Sequence, residues 1–235
     1  MKFEAPLVRG QLLRRYKRFL ADVLLEDGTE ITAHCANPGA MLGLNAFGST
    51  VWLEPSNNLK RKLKWSWRLV ELDGGHMAGI DTSLPNRVTG EALTSGVVPE
   101  LAAYAQWRAE VKYGANSRID WLGRGDGLPD VYVEIKNVHL RREPGLAEFP
   151  DCVTLRGAKH LRELSDMVAE GHRAVMLFLV QRTDCDRFRL AADLDPGYAA
   201  AFAEARAAGV EALVFDTVIT TSGVEFGRAI PMEHP

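Results

Sequence analysis

Along the first eighty residues the apolar positions alternate in short runs broken by Gly and Pro, the pattern of strands joined by turns. Residues 14–25 form a long alternating stretch that turns at Glu26-Asp27-Gly28, with 30–34 as its partner strand. The loop Ala36-Asn37-Pro38-Gly39-Ala40 leads to a strand around 50–54. A basic aromatic stretch, 60–72, then runs to a turn at Asp73-Gly74-Gly75. Several short strands with this punctuation predict a small closed barrel.

The pattern changes around residues 81–86. Residues 91–93 and 99–107 read as helical, with Pro99 suited to a first turn. Strands are expected at 109–113, 118–122 and 131–138. Thr154 can cap a helix over 155–169, where Ala158, Leu161, Leu164 and Val168 recur at helical spacing and Gly171 stops it. A near-continuous apolar strand covers 174–180. Asp195-Pro196 opens a helix that closes at Gly209, before a strand at 211–215. This alternation predicts a mixed sheet with parallel crossovers flanked by helices. The expected organisation is a barrel over residues 1–82 and an α/β domain over 83–235.

Within those strands three charged residues stand out: Asp120, then Glu134 and Lys136 in Val-Tyr-Val-Glu-Ile-Lys-Asn-Val. Strand side chains alternate, so Glu134 and Lys136 share one face while Val133 and Ile135 take the other. Two carboxylates beside an ammonium make an oxygen-rich site for a small divalent cation, with Lys136 placed to steady a water or a developing charge. The same trio also fits a solvated strand face with a cross-strand ion pair. The apolar flanks Val131, Tyr132, Val133, Ile135 and Val138 favour a covered strand, where a fixed charge is costly unless paired or metal-bound.

Composition narrows the function. At 235 residues and 46% hydrophobic content the chain can build packed cores, and its net charge of −3 predicts no general affinity for polyanions. The charge is unevenly spread. Residues 1–80 hold 11 Lys and Arg against 8 acidic residues, and 81–235 hold 17 against 23. Cys35, Cys152 and Cys185 are widely spaced and form no Cys-x-x-Cys pair, against a disulfide framework or structural zinc and in keeping with a reducing cytoplasm. The start, Met-Lys-Phe-Glu-Ala-Pro, has no long apolar region, and no window approaches a membrane span. A soluble cytoplasmic protein is expected.

The basic half carries two clusters. Arg9, Arg14, Arg15, Lys17 and Arg18 form one; Lys60, Arg61, Lys62, Lys64 and Arg68, interleaved with Trp65 and Trp67, form the other. Such cations neutralise phosphates and such rings stack bases without reading sequence. The alternative is a set of solvated edges with both tryptophans in the barrel core.

Over nearly its whole length the chain resembles the sugar fermentation stimulation protein A family. The resemblance rests on Arg15-Tyr16-Lys17-Arg18-Phe19-Leu20-Ala21-Asp22, His34-Cys35-Ala36-Asn37-Pro38-Gly39-Ala40-Met41, Glu110-Val111-Lys112-Tyr113-Gly114, Ser117-Arg118-Ile119-Asp120, Val133-Glu134-Ile135-Lys136-Asn137-Val138, Phe149-Pro150-Asp151 and Lys159-His160-Leu161. Pro38 stands where that family usually has Thr, and Ala158 where Gln is common. The resemblance implies an oligonucleotide-binding barrel joined to a nuclease-like domain of the PD-(D/E)xK kind. It also implies binding of single- or double-stranded DNA with little sequence preference, and a link to sugar, notably maltose, metabolism. On that basis Asp120, Glu134 and the main-chain carbonyl of Ile135 would hold Mg²⁺ or Mn²⁺, with Lys136 positioning water. Glu100 would be an outer carboxylate or a solvated surface group. Arg156 and Lys159, three apart on a helix, would hold the scissile phosphate or form an ordinary polar face. His160 points to another side of that helix and is assigned no chemistry. The alternative function is a non-catalytic DNA-binding regulator, and RNA is a third ligand to weigh. Paired subunits are common where two strands must be handled, so a homodimer is one expected assembly.

Overall fold

The computed structural model describes residues 1–58, 60–114 and 117–233. Strands β1 (Val8–Tyr16), β2 (Leu20–Leu25), β3 (Glu30–Cys35), β4 (Thr50–Pro55) and β5 (Trp65–Glu71) run in the order β3-β2-β1-β4-β5. Parallel pairing of β3 with β5 closes them into a barrel. Alternation explains the filling: Leu12, Val23, Ala33, Leu53 and Trp67 point inward and are fully buried. A short β6 (Met77–Gly79) extends the sheet beyond β5.

The long alternating stretch is two strands rather than one. Lys17 and Arg18 adopt left-handed φ values of 48° and 63° and turn β1 back onto β2. Side chains rarely accept that conformation. Here Arg15 offsets its cost by donating to the carbonyl of Arg18 at 2.9 Å.

The second domain begins with α1 (Leu84–Thr94), followed by β7 (Gln106–Tyr113), β8 (Ser117–Arg124), β9 (Val131–Val138), β10 (Leu140–Glu143) and β11 (Gly145–Phe149). Then come α2 (Leu155–Ala169), β12 (Arg173–Val180), β13 (Cys185–Leu190), α3 (Pro196–Ala207), β14 (Glu211–Thr220), β15 (Gly223–Ala229) and β16 (Met232–Glu233). The main sheet has the order β15-β14-β12-β9-β8-β7, with β9, β12 and β14 parallel. A second sheet, β10-β11-β13-β16, packs beside α2 and α3. Both helix starts are capped as their sequences require: Thr154 accepts from Gly157 N at 3.1 Å and Asp195 from Tyr198 N at 2.9 Å.

The helix expected over 99–107 is one tight turn, Pro99–Leu101, running into β7. Arg173 donates to the Glu100 carbonyl at 2.8 Å and fixes that turn at the start of β12. α1 packs on one face of the main sheet, α2 and α3 on the other. The barrel joins the α1 side, where Trp52, Leu69 and Met77 share a core with Val133, Val175 and Leu177. The polar part of this joint lies at β6, where Gly79 N donates to the Gln181 carbonyl at 2.9 Å, Thr183 N donates to the Met77 carbonyl at 3.0 Å and Met77 N donates to Thr183 Oγ1 at 3.0 Å. Among the described residues no helix is long and apolar enough to cross a membrane.

Close packing holds α1 to the sheet at Gly90, where a Cβ would stand 2.2 Å from the Trp121 ring. Gly90→Ala must therefore push Trp121 or α1 aside. It should cost roughly 1–3 kcal/mol, read as a lower urea midpoint with an unchanged slope. An unchanged midpoint would show that the helix relaxes freely.

Candidate functional site

β9 lies third from one edge of the main sheet, between β12 and β8. Its even-numbered residues face α2, and Glu134 among them is only 3% exposed. The β8–β9 ladder stops at the Trp121–Val133 pair. Beyond that point the Asp120 side chain replaces the missing strand partner: its Oδ2 accepts from Ile135 N at 2.7 Å. Asp120 Oδ1 accepts from Asn86 Nδ2 at 2.7 Å, and Asn86 Oδ1 accepts from Trp121 Nε1 at 2.7 Å. The first turn of α1 thus sets the carboxylate's orientation.

Glu134 Oε1 accepts from Lys136 Nζ at 2.7 Å and is bonded to His160 Nδ1. Glu134 Oε2 is buried with no partner. The other ring nitrogen, His160 Nε2, lies 3.3 Å from Arg156 Nε. A guanidinium only donates, so Nε2 must accept and Nδ1 carries the proton given to Glu134. Lys159 Nζ donates to Ser117 Oγ at 3.2 Å and lies 3.4 Å from Glu163 Oε1. A cleft of about 410 Å³ is lined by Glu110, Ser117, Arg118, Asp120, Glu134, Arg156, Lys159 and His160.

The two acids are pushed in opposite directions. Burial, reinforced by the charge of Glu134, pushes the Asp120 carboxyl up to about 7, although Ile135 N and Lys136 pull the other way. Burial also opposes ionisation of Glu134, but the His160 bond and the Lys136 charge outweigh it and keep that carboxyl below its ordinary value. Tyr113 sits beside both, its phenol raised by burial and by the charges of Glu134, Glu163 and Asp120.

The predicted residues divide. Asp120, Glu134, Lys136, Ile135, Arg156 and Lys159 come together, the last two on the cleft side of α2. Glu100 does not join them. It lies exposed on the Pro99–Leu101 turn, fixed by Arg173, whose strand partner is Val131 at the far end of β9. Asn86 is the α1 group that reaches Asp120. His160 is the larger correction, for it is buried against Glu134 rather than turned aside. Its signal lay in the helical stripe: Gly157, His160, Leu161 and Leu164 form the buried face, one position away from the stripe through Ala158. Glu110, with a left-handed φ of 55°, falls where the β7–β8 pairing skips a step beside Asp120; the sequence marked it only as part of the Glu110–Gly114 motif, with no role.

The barrel cations divide too. Arg15 donates to the carbonyls of Arg18, Asn37 and Gly39 and serves the fold, not a phosphate. Arg14 is paired with Asp22 at 2.8 Å and lies over the Tyr16 ring. Lys17, Arg18, Lys60 and Lys62 are exposed and make no ion pair among the described residues, while Arg61 donates to Ser66 Oγ at 3.1 Å. Trp65 is half-buried against the barrel core and Trp67 lies within it, which removes Trp67 from the candidate stacking rings. Both point inward because they are two apart on β5.

A closed five-stranded barrel joined to a mixed α/β domain with two facing carboxylates defines the class: an OB barrel carried by an α/β domain. The family model described as SfsA N-terminal OB domain matches residues 13–80, and that described as Sugar fermentation stimulation protein RE domain matches residues 83–223. Curated relatives called sugar fermentation stimulation protein homolog include one from Dinoroseobacter shibae, 64% identical over 99% of this chain and 96% of that protein. Another, from Ruegeria pomeroyi, is 62% identical over 96% and 98%. The structure of Pyrococcus furiosus SfsA in complex with Ca²⁺ superposes with a TM-score of 0.89 at 27% identity, covering 100% of this chain and 98% of that one. The chain belongs to the sugar fermentation stimulation protein family.

The raised Asp120 carboxyl makes a pH prediction. Between 3.8 and about 7 the folded protein binds a proton that the unfolded chain has released. Stability therefore falls as pH rises through that window, and the full penalty applies above it. Asp120→Asn is uncharged throughout, so its stability relative to wild type should climb with pH to about 7 and then level off. Urea midpoints across a pH series measure this, and a difference independent of pH would contradict it.

Proposed function

We propose that this protein binds DNA through its barrel, with little sequence preference, and cuts phosphodiester bonds at the Asp120–Glu134 cleft with Mg²⁺ or Mn²⁺. The observation that carries the reading is the buried, unpartnered Glu134 Oε2 beside an Asp120 carboxyl whose ionisation is disfavoured. Excess negative charge among oxygen donors is what a hard divalent cation relieves. Among the described residues no group of three His, Cys, Asp or Glu is arranged to hold a metal. A cation there would be held by the two carboxylates with a main-chain oxygen and water. Ile135 supplies that oxygen, since a strand residue directs its carbonyl to the same edge as the N–H that Asp120 accepts. The Pyrococcus furiosus relative, solved with Ca²⁺, supports a divalent ligand in general terms.

When bound, the cation would polarise a phosphodiester oxygen and lower the pKa of water. The chain's own groups supply the rest. Lys136, paired with Glu134, stands where it can turn to a water and offset charge in the pentavalent transition state. Arg156 keeps its terminal guanidinium nitrogens for a phosphate because its Nε is anchored on His160. Lys159 lies on the same wall of the cleft. On the barrel, Lys17, Arg18, Lys60 and Lys62 supply sequence-independent phosphate contacts.

The test is cleavage of labelled single-stranded, duplex and branched DNA with Mg²⁺ or Mn²⁺. Asp120→Ala and Lys136→Ala should each lose about a hundredfold or more in rate, while DNA binding in the same samples survives. Binding without metal-dependent cutting on any substrate would leave a DNA-binding regulator on a nuclease-like scaffold.

A further inference from the structure

Three of the exposed large apolar side chains among the described residues lie near cations in sequence. Phe19, in the turn just before β2, is 46% exposed and stacks on His34 with ring centroids 6.4 Å apart and planes 18° from parallel. It follows the unpaired Lys17 and Arg18 at the hairpin tip. Val153 and Leu155, 66% and 82% exposed, lead into α2 immediately before Arg156. Neither set has a packing role that explains its exposure.

Contacts join the two places across the domain boundary. The Arg15 guanidinium holds the Arg18 carbonyl at 2.9 Å and the Gly39 carbonyl at 3.0 Å, tying the hairpin tip to the loop after β3. Gly39 reaches the α/β domain, because a Cβ there would stand 3.0 Å from Asp151 Oδ2. Asp151 opens the segment bearing Val153 and Leu155, and Arg156 follows in the cleft with Asp120 and Glu134. A chain of contacts thus links the cations and ring of the hairpin tip, through Gly39 and Asp151, to the segment that carries Val153, Leu155 and Arg156 beside the carboxylates.

Duplex DNA shows a protein its phosphates and hides its base faces. An unpaired strand offers both, and sites for it alternate cations with ring faces on which bases stack. Apolar side chains can also enter between bases and hold them apart. We propose that Phe19 on His34 and the Val153–Leu155 ridge form a track for an unpaired strand leading from the barrel to the cleft. The preferred substrate is then single-stranded or flapped DNA. This rests on the DNA-cleaving reading above and specifies its substrate.

The experiment is fluorescence anisotropy in EDTA, where no cutting is needed. It uses a labelled oligothymidylate, a blunt duplex and a duplex with a single-stranded flap. Phe19→Ala and Leu155→Ser remove exposed side chains, and circular dichroism confirms that both variants fold. Phe19→Ala should weaken oligothymidylate and flap binding about tenfold, the loss of one stacked base; Leu155→Ser should shift them the same way, with blunt-duplex affinity unchanged in both. Unaltered single-strand binding, or an equal loss on the blunt duplex, would overturn the track and leave the nuclease reading standing. Loss of a dimer in sedimentation, without a change in single-strand affinity, would overturn it in favour of self-association. Absence of DNA binding by the wild type would overturn both readings together.

Discussion

Burying the Glu134 carboxylate on an inner strand is the constraint around which the α/β domain is arranged. A charge so placed is expensive unless donors surround it. Lys136 from its own strand and His160 from α2 both give to Oε1. The helix must therefore lie in one rotational setting, with His160 inward and Arg156 one turn earlier, against the same ring. That setting puts Arg156 and Lys159 on the wall of the cleft. The second oxygen, Oε2, is left buried without a donor.

Asp120 meets a different need. β8 pairs with β9 only from Trp121 onward, and the parting before it, at Asp120, opens the cleft. It would also leave the Ile135 N–H unpaired, an exposed defect in the middle of a sheet. The Asp120 side chain repairs the ladder while Asn86 fixes it from the other side, so one residue closes the sheet and lines the site. Its neighbour Trp121 anchors that same α1 turn, and the helix cannot move without disturbing the carboxylate. Fold and chemistry share these atoms.

Much of this was readable before any coordinates. Helix α2 was bounded by its cap and its glycine, and the apolar runs of β9 and β12 announced themselves. The Asp120, Glu134 and Lys136 trio was visible because charge in an apolar strand conflicts with its surroundings. Less was readable where tertiary contacts decide. Nothing local marks a hairpin at Lys17-Arg18, since its left-handed backbone depends on Arg15 and on loop carbonyls 22 and 24 residues away. The turn at Pro99–Leu101 imitates a helix start and is ended by an arginine 73 residues later. Composition alone does not say which face of β5 is inside, so the sequence leaves Trp65 and Trp67 open between stacking rings and barrel core. His160 needed the true helical phase, which one histidine inside an apolar stripe conceals.

The central claim is that two carboxylates and the Ile135 carbonyl form an incomplete oxygen cage. Anomalous scattering from crystals grown with Mn²⁺ addresses it without reference to turnover. The account predicts one strong peak between Asp120 and Glu134, beside the Ile135 oxygen and in contact with Glu134 Oε2. An empty cleft at saturating Mn²⁺, with Glu134 still bonded only to Lys136 and His160, would contradict it.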